Sequence, residues 1–268
     1  MISFTSLYTT IISMRLTLPR LFIYLFLLVC FLGLPSLSQA QQQNEIAITI
    51  DDLPFVGEQK NFHLNMIIDT IKAEDVPATG FVIAGNVRPE NWSVLQKFKD
   101  AGLGIGNHTL THANAHEMGT NAYIQQIEEA DKLLSSLLTK PKYFRYPYLV
   151  TGEGEKKESI EEYLYSKHYH IAPITIDSKD FIFNQLLLSV PEMERRHFLT
   201  VLKPCYLDYI WQQTLQAQEK QRPQQKNKRT QILLIHSNLL NAYVLPDIIK
   251  LYREHGFNFV SLQYALKS

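Results

Sequence analysis

From residue 45 onward the chain alternates short, β-branched apolar runs with stretches of helical periodicity. Seven runs read as strands, at 46–50, 78–84, 103–106, 142–145, 170–176, 232–235 and 257–260. Their near-continuous apolar character suits strands covered on both faces, as in a parallel sheet. Between them, Met66, Ile67 and Ile71 mark one helix, and Trp92, Leu95 and Phe98 a second that stops near Gly102. Tyr123, Ile127, Ala130, Leu134 and Leu138 mark a third before Pro141, and Ile248, Ile249 and Tyr252 a later one ending at Gly256. Strand-helix alternation of this kind predicts an α/β fold, a distorted (β/α) barrel of seven or so parallel strands.

One segment breaks the rhythm. About fifty residues separate the strand ending at Ile176 from the one beginning at Ile232, and they hold an additional helical stretch from Pro191 to Lys220. This predicts a helical insertion over about 185–230, and its position suggests a cover for a groove. Its Gln- and Lys-rich tail, 216–230, reads as a solvated helix end and loop.

The first forty residues stand apart. Arg15 and Arg20 precede an uncharged apolar run from Leu21 to Leu34, followed by Pro35 and the small-residue sequence Ser38-Gln39-Ala40. That is the pattern of a secretory signal, with 1–40 removed and 41–268 forming one domain exported to the periplasm or the extracellular space. The run is shorter than the roughly 20 residues a spanning helix needs, so membrane contact is expected only through this segment if it stays uncleaved. Of the two cysteines, Cys30 falls within the signal and Cys205 remains alone, which leaves no intramolecular disulfide.

Charge excludes some partners. The chain has 26 basic and 26 acidic residues, and removing the two arginines of the signal leaves 24 basic. A near-neutral chain gives no reason to expect nucleic acid or an anionic surface as partner.

The chemistry gathers at strand ends. Asp51 and Asp52 close the first run, His108 and His112 follow the third, and Arg145, Asp177 with Asp180, and His236 follow later ones. In a parallel barrel the carboxyl ends of the strands share one face, where active sites are built. One carboxylate and two imidazoles suit a catalytic divalent ion with open positions, and the other carboxylate is then free to act as a base. Adjacent strand residues point to opposite sides, so the aspartates need a backbone turn to face one pocket, which Leu53-Pro54 is expected to supply. His108 and His112, four apart, would share a face if they lie on a helical turn, with His116 a competing ligand.

These residues, in this order, resemble the polysaccharide deacetylases of the NodB-homology type, carbohydrate esterase family 4. Five short motifs carry the resemblance: Thr49-Ile-Asp51-Asp52, His108-Thr-Leu-Thr-His112, Arg145-Tyr-Pro-Tyr148, Asp177-Ser-Lys-Asp180-Phe181 and Ile232-Leu-Leu-Ile-His236. The resemblance implies Asp51 as catalytic base and Asp52, His108 and His112 as metal ligands. It also implies Arg145 holding the base, the Tyr148 backbone amide stabilising the oxyanion, and Asp180 orienting His236 as general acid. Tyr146 and Phe181 are expected to line the substrate groove.

The implied activity is removal of N- or O-linked acetyl groups from a cell-wall or extracellular glycan. Zinc is the implied cofactor, with cobalt, nickel or manganese also compatible with the ligand set. Two departures from the family pattern, Leu53 and Leu149 at positions usually held by glycine, point to altered groove loops. The rival readings are a secreted carbohydrate-binding module without turnover and an amidase or imidase acting on a non-sugar amide.

Overall fold

The first strand, β1 (Asn44–Leu53), is buried over most of its length and is flanked on both sides by parallel neighbours. One is β2 (Ala78–Val82) and the other β7 (Gln231–His236). The computed structural model from which these elements are taken describes residues 44–55, 61–221 and 230–268. The segment read as an export signal, with Cys30, lies outside the described residues, as does 222–229 of the polar tail.

Beyond β2 the sheet continues through β3 (Gly104–Asn107), β4 (Lys142–Phe144) and β5 (Tyr169–Ile171), and beyond β7 it ends in β6 (Ile176–Asp177). A short β8 (Phe257–Phe259) pairs with the start of β1. All these pairings are parallel. Helices α1 (Asn61–Ala73), α2 (Pro89–Asp100), α3 (Thr120–Leu133) and α4 (Gly154–Ser166) come before β5. After β6 come α5 (Asp180–Leu188), α6 (Glu192–Gln221), α7 (Leu239–Glu254) and the short α8 (Leu262–Ala265). The result is the distorted (β/α) barrel that the alternation predicts.

Residue parity on β1 explains how the layers divide. Ile46, Ile48 and Ile50 join the main core with Leu64, Ile67 and Ile68 of α1 and Val244 and Ile248 of α7. Burying each isoleucine contributes about 1.5–3 kcal/mol. Ala47, one residue out of phase, packs instead with Phe81, Tyr143 and Ile232 in a separate inner cluster. Thr49 and Asp51 share the parity of Ala47, so the strand that anchors the outer core also delivers a polar pair to the other face.

The predicted strand at 170–176 is two strands, at opposite edges of the sheet. β5 pairs with β4 and β6 pairs with β7. The chain crosses between edges in very few residues: the Ala172 amide still donates to Phe144 (2.8 Å), and the Thr175 amide already donates to Ile232 (3.0 Å). Pro173 has no amide hydrogen for a ladder, which is the physical reason the run breaks there. Apolar character alone could not show it.

The long helix is predicted to within a residue at each end, but its position differs from the expectation. Leu202, Tyr206, Ile210, Thr214 and Ala217 form one buried stripe, spaced three and four apart. That stripe packs against β6, α5 and α7, so α6 belongs to the helical layer and is not a cover for the groove. Cys205, beside Tyr206 in sequence, lies off the stripe and is exposed.

Candidate active site and metal centre

Asp51 and Asp52 reach the same mouth through a bulge in β1. Ile50 stands opposite Gly80 and Leu53 opposite Val82, so the two aspartates together occupy the place of one partner residue. Asp52 has φ 62, in the left-handed region that Asp tolerates better than most residues. The turn expected at Leu53-Pro54 therefore lies one residue earlier, at Asp52 itself. Leu53 continues the strand and is wholly buried.

Nor do the histidines meet on a helix. His108 through His112 form a loop in which Thr109 (φ 66) and His112 (φ 58) are both left-handed. The loop is held by Asn107, whose Oδ1 accepts from the Thr109 amide (2.8 Å) and whose Nδ2 donates to the carbonyl of Ile127 on α3 (3.0 Å). The Thr109 hydroxyl accepts from the amide of Ala113 (3.1 Å). His108 is buried, and its Nδ1 is 2.8 Å from the carbonyl oxygen of Arg145, so Nδ1 carries the proton and Nε2 is left as a ligand atom. His116 is exposed and stands outside this group.

Asp52, His108 and His112 offer three ligand atoms within 4.8 Å of one another. Asp52 Oδ1 lies 3.3 Å from His108 Nε2 and 3.2 Å from His112 Nε2. These separations are close to the roughly 3.3 Å edge of a tetrahedron of donors about 2.0–2.1 Å from its centre. The same Oδ1 is buried, and neither imidazole aligns with it as a hydrogen-bond donor. A buried carboxylate oxygen facing two imidazole nitrogens without hydrogen bonds fits a divalent cation.

Asp51 belongs to a different set. Its Oδ2 is 3.3 Å from Arg145 Nη1, and it stands directly opposite His236 in the register of β1 with β7. Arg145 is buried and fully occupied: Nε donates to Ala172 (2.7 Å), and Nη2 donates to the Thr49 hydroxyl (3.1 Å) and to Pro173 (3.4 Å). The guanidinium also lies 4.7 Å from the centre of the Phe81 ring. One side chain thus fixes the Asp51 carboxylate and the segment that crosses between β5 and β6.

His236 and Asp180 form the third set. Asp180 Oδ1 is 2.6 Å from His236 Nδ1, and Oδ2 accepts from the His236 amide (2.7 Å), Asn238 Nδ2 (2.9 Å) and Asn241 Nδ2. Burial would raise the pKa of Asp180, yet the charge and hydrogen bonds of His236 with those of Asn241 bring it below its ordinary value. Burial likewise opposes the charged form of His236, but Asp180 and the carboxylates of Asp52 and Asp51 push its pKa up to about 10. His236 Nε2 is 4.0 Å from Asp52 Oδ2, so the imidazole faces the ligand cluster.

At the rim, Phe181 is half exposed, and its ring stands perpendicular to His236 with centroids 6.4 Å apart. Tyr148, with φ 55, is exposed, and its ring is 4.4 Å from that of His112. Tyr146 does not line the groove. It is buried among Tyr123, Phe144 and Ile160, because it neighbours Arg145 and so points away from the mouth toward α3 and α4. Asp177 takes no part either, accepting from the Lys179 amide (3.0 Å) and pairing with its ammonium.

Sequence reading missed Asn107, Asn238 and Asn241 as supports, and the carbonyls of Ala172 and Pro173. Asn238 and Asn241 are buried against Asp180. Thr49 was legible, since it shares the parity of Asp51. The carbonyls carry no signal in a sequence.

Fold and site together define a barrel whose mouth combines an Asp-His-His cluster that could hold a metal ion, an arginine-held carboxylate and a carboxylate-held histidine. The resemblance to the polysaccharide deacetylases is shown on independent grounds: the model of that family, polysaccharide deacetylase, matches residues 38–161. A peptidoglycan-N-acetylglucosamine deacetylase of Bacillus cereus is 28% identical over 138 residues, which is 51% of this chain and 46% of that protein. A chitin deacetylase of Arthroderma benhamiae is 24% identical over 150 residues, 54% of this chain and 37% of that one. The chain therefore spans less than half the length of these relatives.

A solved CE4 family pseudoenzyme from Bacillus anthracis superposes with a TM-score of 0.60 at 18% identity, covering 84% of this chain and 66% of its own. At that identity the likeness is one of fold. The family match ends before Asp180 and His236, so the geometry, and not the match, joins those two to the site.

Proposed function

We propose that this protein is a metal-dependent hydrolase that removes acetyl groups from an extracellular or cell-wall glycan. The observation that carries the reading is the convergence of Asp52, His108 and His112 beside two separately held proton-transfer groups, Asp51 and His236. A binding module would need neither a base nor an acid at such a cluster, which argues against the reading without turnover. The relatives named as peptidoglycan and chitin deacetylases support the same substrate class.

Asp52, His108 and His112 would hold the ion, most readily zinc, through one carboxylate oxygen and two Nε2 atoms. When bound, such an ion supplies Lewis acidity for the acetyl carbonyl and lowers the pKa of water. Asp51, aimed by Arg145, accepts the proton of the attacking water as its oxygen bonds to the carbonyl carbon. The Tyr148 amide donates to the oxyanion that develops there. His236, held by Asp180, gives its proton to the leaving nitrogen or oxygen as the bond to the acetyl carbon breaks, releasing acetate and a free amine or hydroxyl. Phe181 and Tyr148 supply apolar rim surface for a sugar ring.

Export through a signal in residues 1–40 is part of this proposal, since a cell-wall or extracellular glycan lies outside the cytoplasm. Sequencing the amino terminus of the secreted chain tests it. The activity is tested by acetate release from a panel of acetylated glycans and a cyclic imide, with and without chelator, alongside metal analysis. Chelator-sensitive acetate release supports the proposal. A metal-free protein inert on every glycan would refute it, and turnover of the imide alone would favour the amidase reading.

A further inference from the structure

The long helix α6 touches the proton-donating pair through a side chain that the proposed chemistry does not use. Tyr206, wholly buried on the inner stripe of α6, donates its hydroxyl to Asn241 Oδ1 (2.9 Å). Asn241, in the first turn of α7, donates its Nδ2 both to Asp180 Oδ2 and to the His236 carbonyl (3.0 Å). Its backbone amide is bonded to Asn238 Oδ1 (2.9 Å), and Asn238 Nδ2 donates to the same Asp180 oxygen (2.9 Å). The Asp180 carboxylate and the His236 carbonyl, both acceptors, set which end of the Asn241 amide faces them, and the Tyr206 hydroxyl satisfies and anchors the oxygen at the other end.

We propose that Tyr206 is a positioning residue for the general acid: its hydroxyl anchors the oxygen end of the Asn241 amide and so holds in place the two N–H bonds that reach Asp180 and the His236 carbonyl. The structural role of the helical insertion then extends to catalysis. Ring contact with Phe183 of α5 (5.0 Å between centroids) fixes the tyrosine laterally, so the constraint passes from α6 to both α5 and α7. Loss of the hydroxyl leaves Asn241 Oδ1 buried without its donor, and the amide then shifts in its site, so that its N–H bonds to Asp180 and the His236 carbonyl lengthen or tilt. Asp180 would then settle in a changed orientation and take His236 Nδ1 with it.

This inference rests on the proposed assignment of His236 as general acid, and the test separates the two. Tyr206→Phe removes one oxygen and keeps the ring. Two substrates are compared on the same preparation: an N-acetyl chitooligosaccharide, whose amine leaving group needs a proton, and 4-nitrophenyl acetate, whose phenolate leaves without one. Because the ratio of the two activities does not depend on how much protein is folded, partial unfolding cannot mimic the effect. The expected result is a kcat lower by roughly tenfold on the glycan with KM little changed, and by less than about twofold on the aryl ester. Equal loss on both substrates, or loss on neither, overturns the inference. Leu202→Ala, a packing change on the same stripe, should lower both together.

The second readout needs no turnover. In the metal-free protein the His236 Nδ1 proton, shared with Asp180 across 2.6 Å, should give a strongly downfield proton resonance. Its displacement in Tyr206→Phe supports the positioning role, and an unchanged resonance overturns it. A wild type inert on the whole panel of acetylated glycans, with a displaced resonance in Tyr206→Phe, would refute the proposed activity while leaving the positioning role in place.

Discussion

Nη1 of Arg145 lies 3.3 Å from Oδ2 of Asp51, with both side chains almost wholly buried. The pair spans the barrel from the end of β4 to the end of β1, and the same guanidinium also holds Thr49, Ala172 and Pro173. Arg145→Met should therefore act on the whole seam between β5 and β6, leaving Asp51 buried without a counter-charge. The expected loss is about 3–5 kcal/mol in urea denaturation. Adding Asp51→Asn removes the uncompensated charge and should recover part of it. A single variant no less stable than wild type would show that the pair is not structural.

The two aspartates are predicted to fail differently. Asp51→Asn should lower turnover by at least about a hundredfold while leaving bound metal unchanged, because it removes proton acceptance and no ligand. His112→Ala should lower both, since it deletes one of three ligand atoms. Metal analysis beside acetate release reads both effects, and normal turnover by Asp51→Asn would remove it as the base.

The Asp180–His236 pair sets a pH window for stability in the metal-free protein. The folded pKa of Asp180 is depressed, so its contribution is present above the unfolded value near 3.9 and lost as pH falls. That of His236 is raised from 6.5 to about 10, so its contribution is complete below about 6.5 and lost as pH rises through 10. The stability difference between wild type and His236→Gln, measured by denaturation across pH, should be largest between about 4 and 6.5 and decline on either side. Loading with a divalent cation beside Asp52 should lower the His236 pKa and shift the alkaline limb toward neutral pH.

Leu53 offers a prediction opposite to its sequence reading. Its side chain is wholly buried, and a Cβ added to Gly80 would meet Leu53 Cδ2 at 2.5 Å, so the leucine fills the space that glycine leaves. Leu53→Gly should open a cavity and cost about 3–5 kcal/mol, including the backbone entropy of glycine in a strand. The order of preference among acetylated glycans should stay the same. A change in that order with stability intact would return Leu53 to the groove.

Much of the fold was legible because periodicity reports burial directly. β1, β2, β7 and the helix ending at Gly256 all follow from apolar spacing, and α6 was found almost residue for residue. The run at 170–176 was misread because a strand at one edge and a strand at the other look alike when both are apolar. Pro173 was the visible warning. Tyr146 was misplaced for a related reason: motif membership suggested the groove, whereas alternation from Arg145 assigns it to the opposite face.

By itself the sequence determined which chemistry is available: two carboxylates, two histidines, an arginine and an acid-histidine pair, all at the ends of predicted strands. Local patterning suffices for that, since strand ends and residue types are local properties. Only the tertiary structure decided how the groups are divided. The left-handed turn at Asp52 gives one aspartate to the histidines and the other to Arg145, and the loop of Thr109 and His112 brings both imidazoles to one point. It also joined Tyr206 to Asp180 through Asn241, a connection between residues distant in sequence that exists only once α6 packs against α5 and α7.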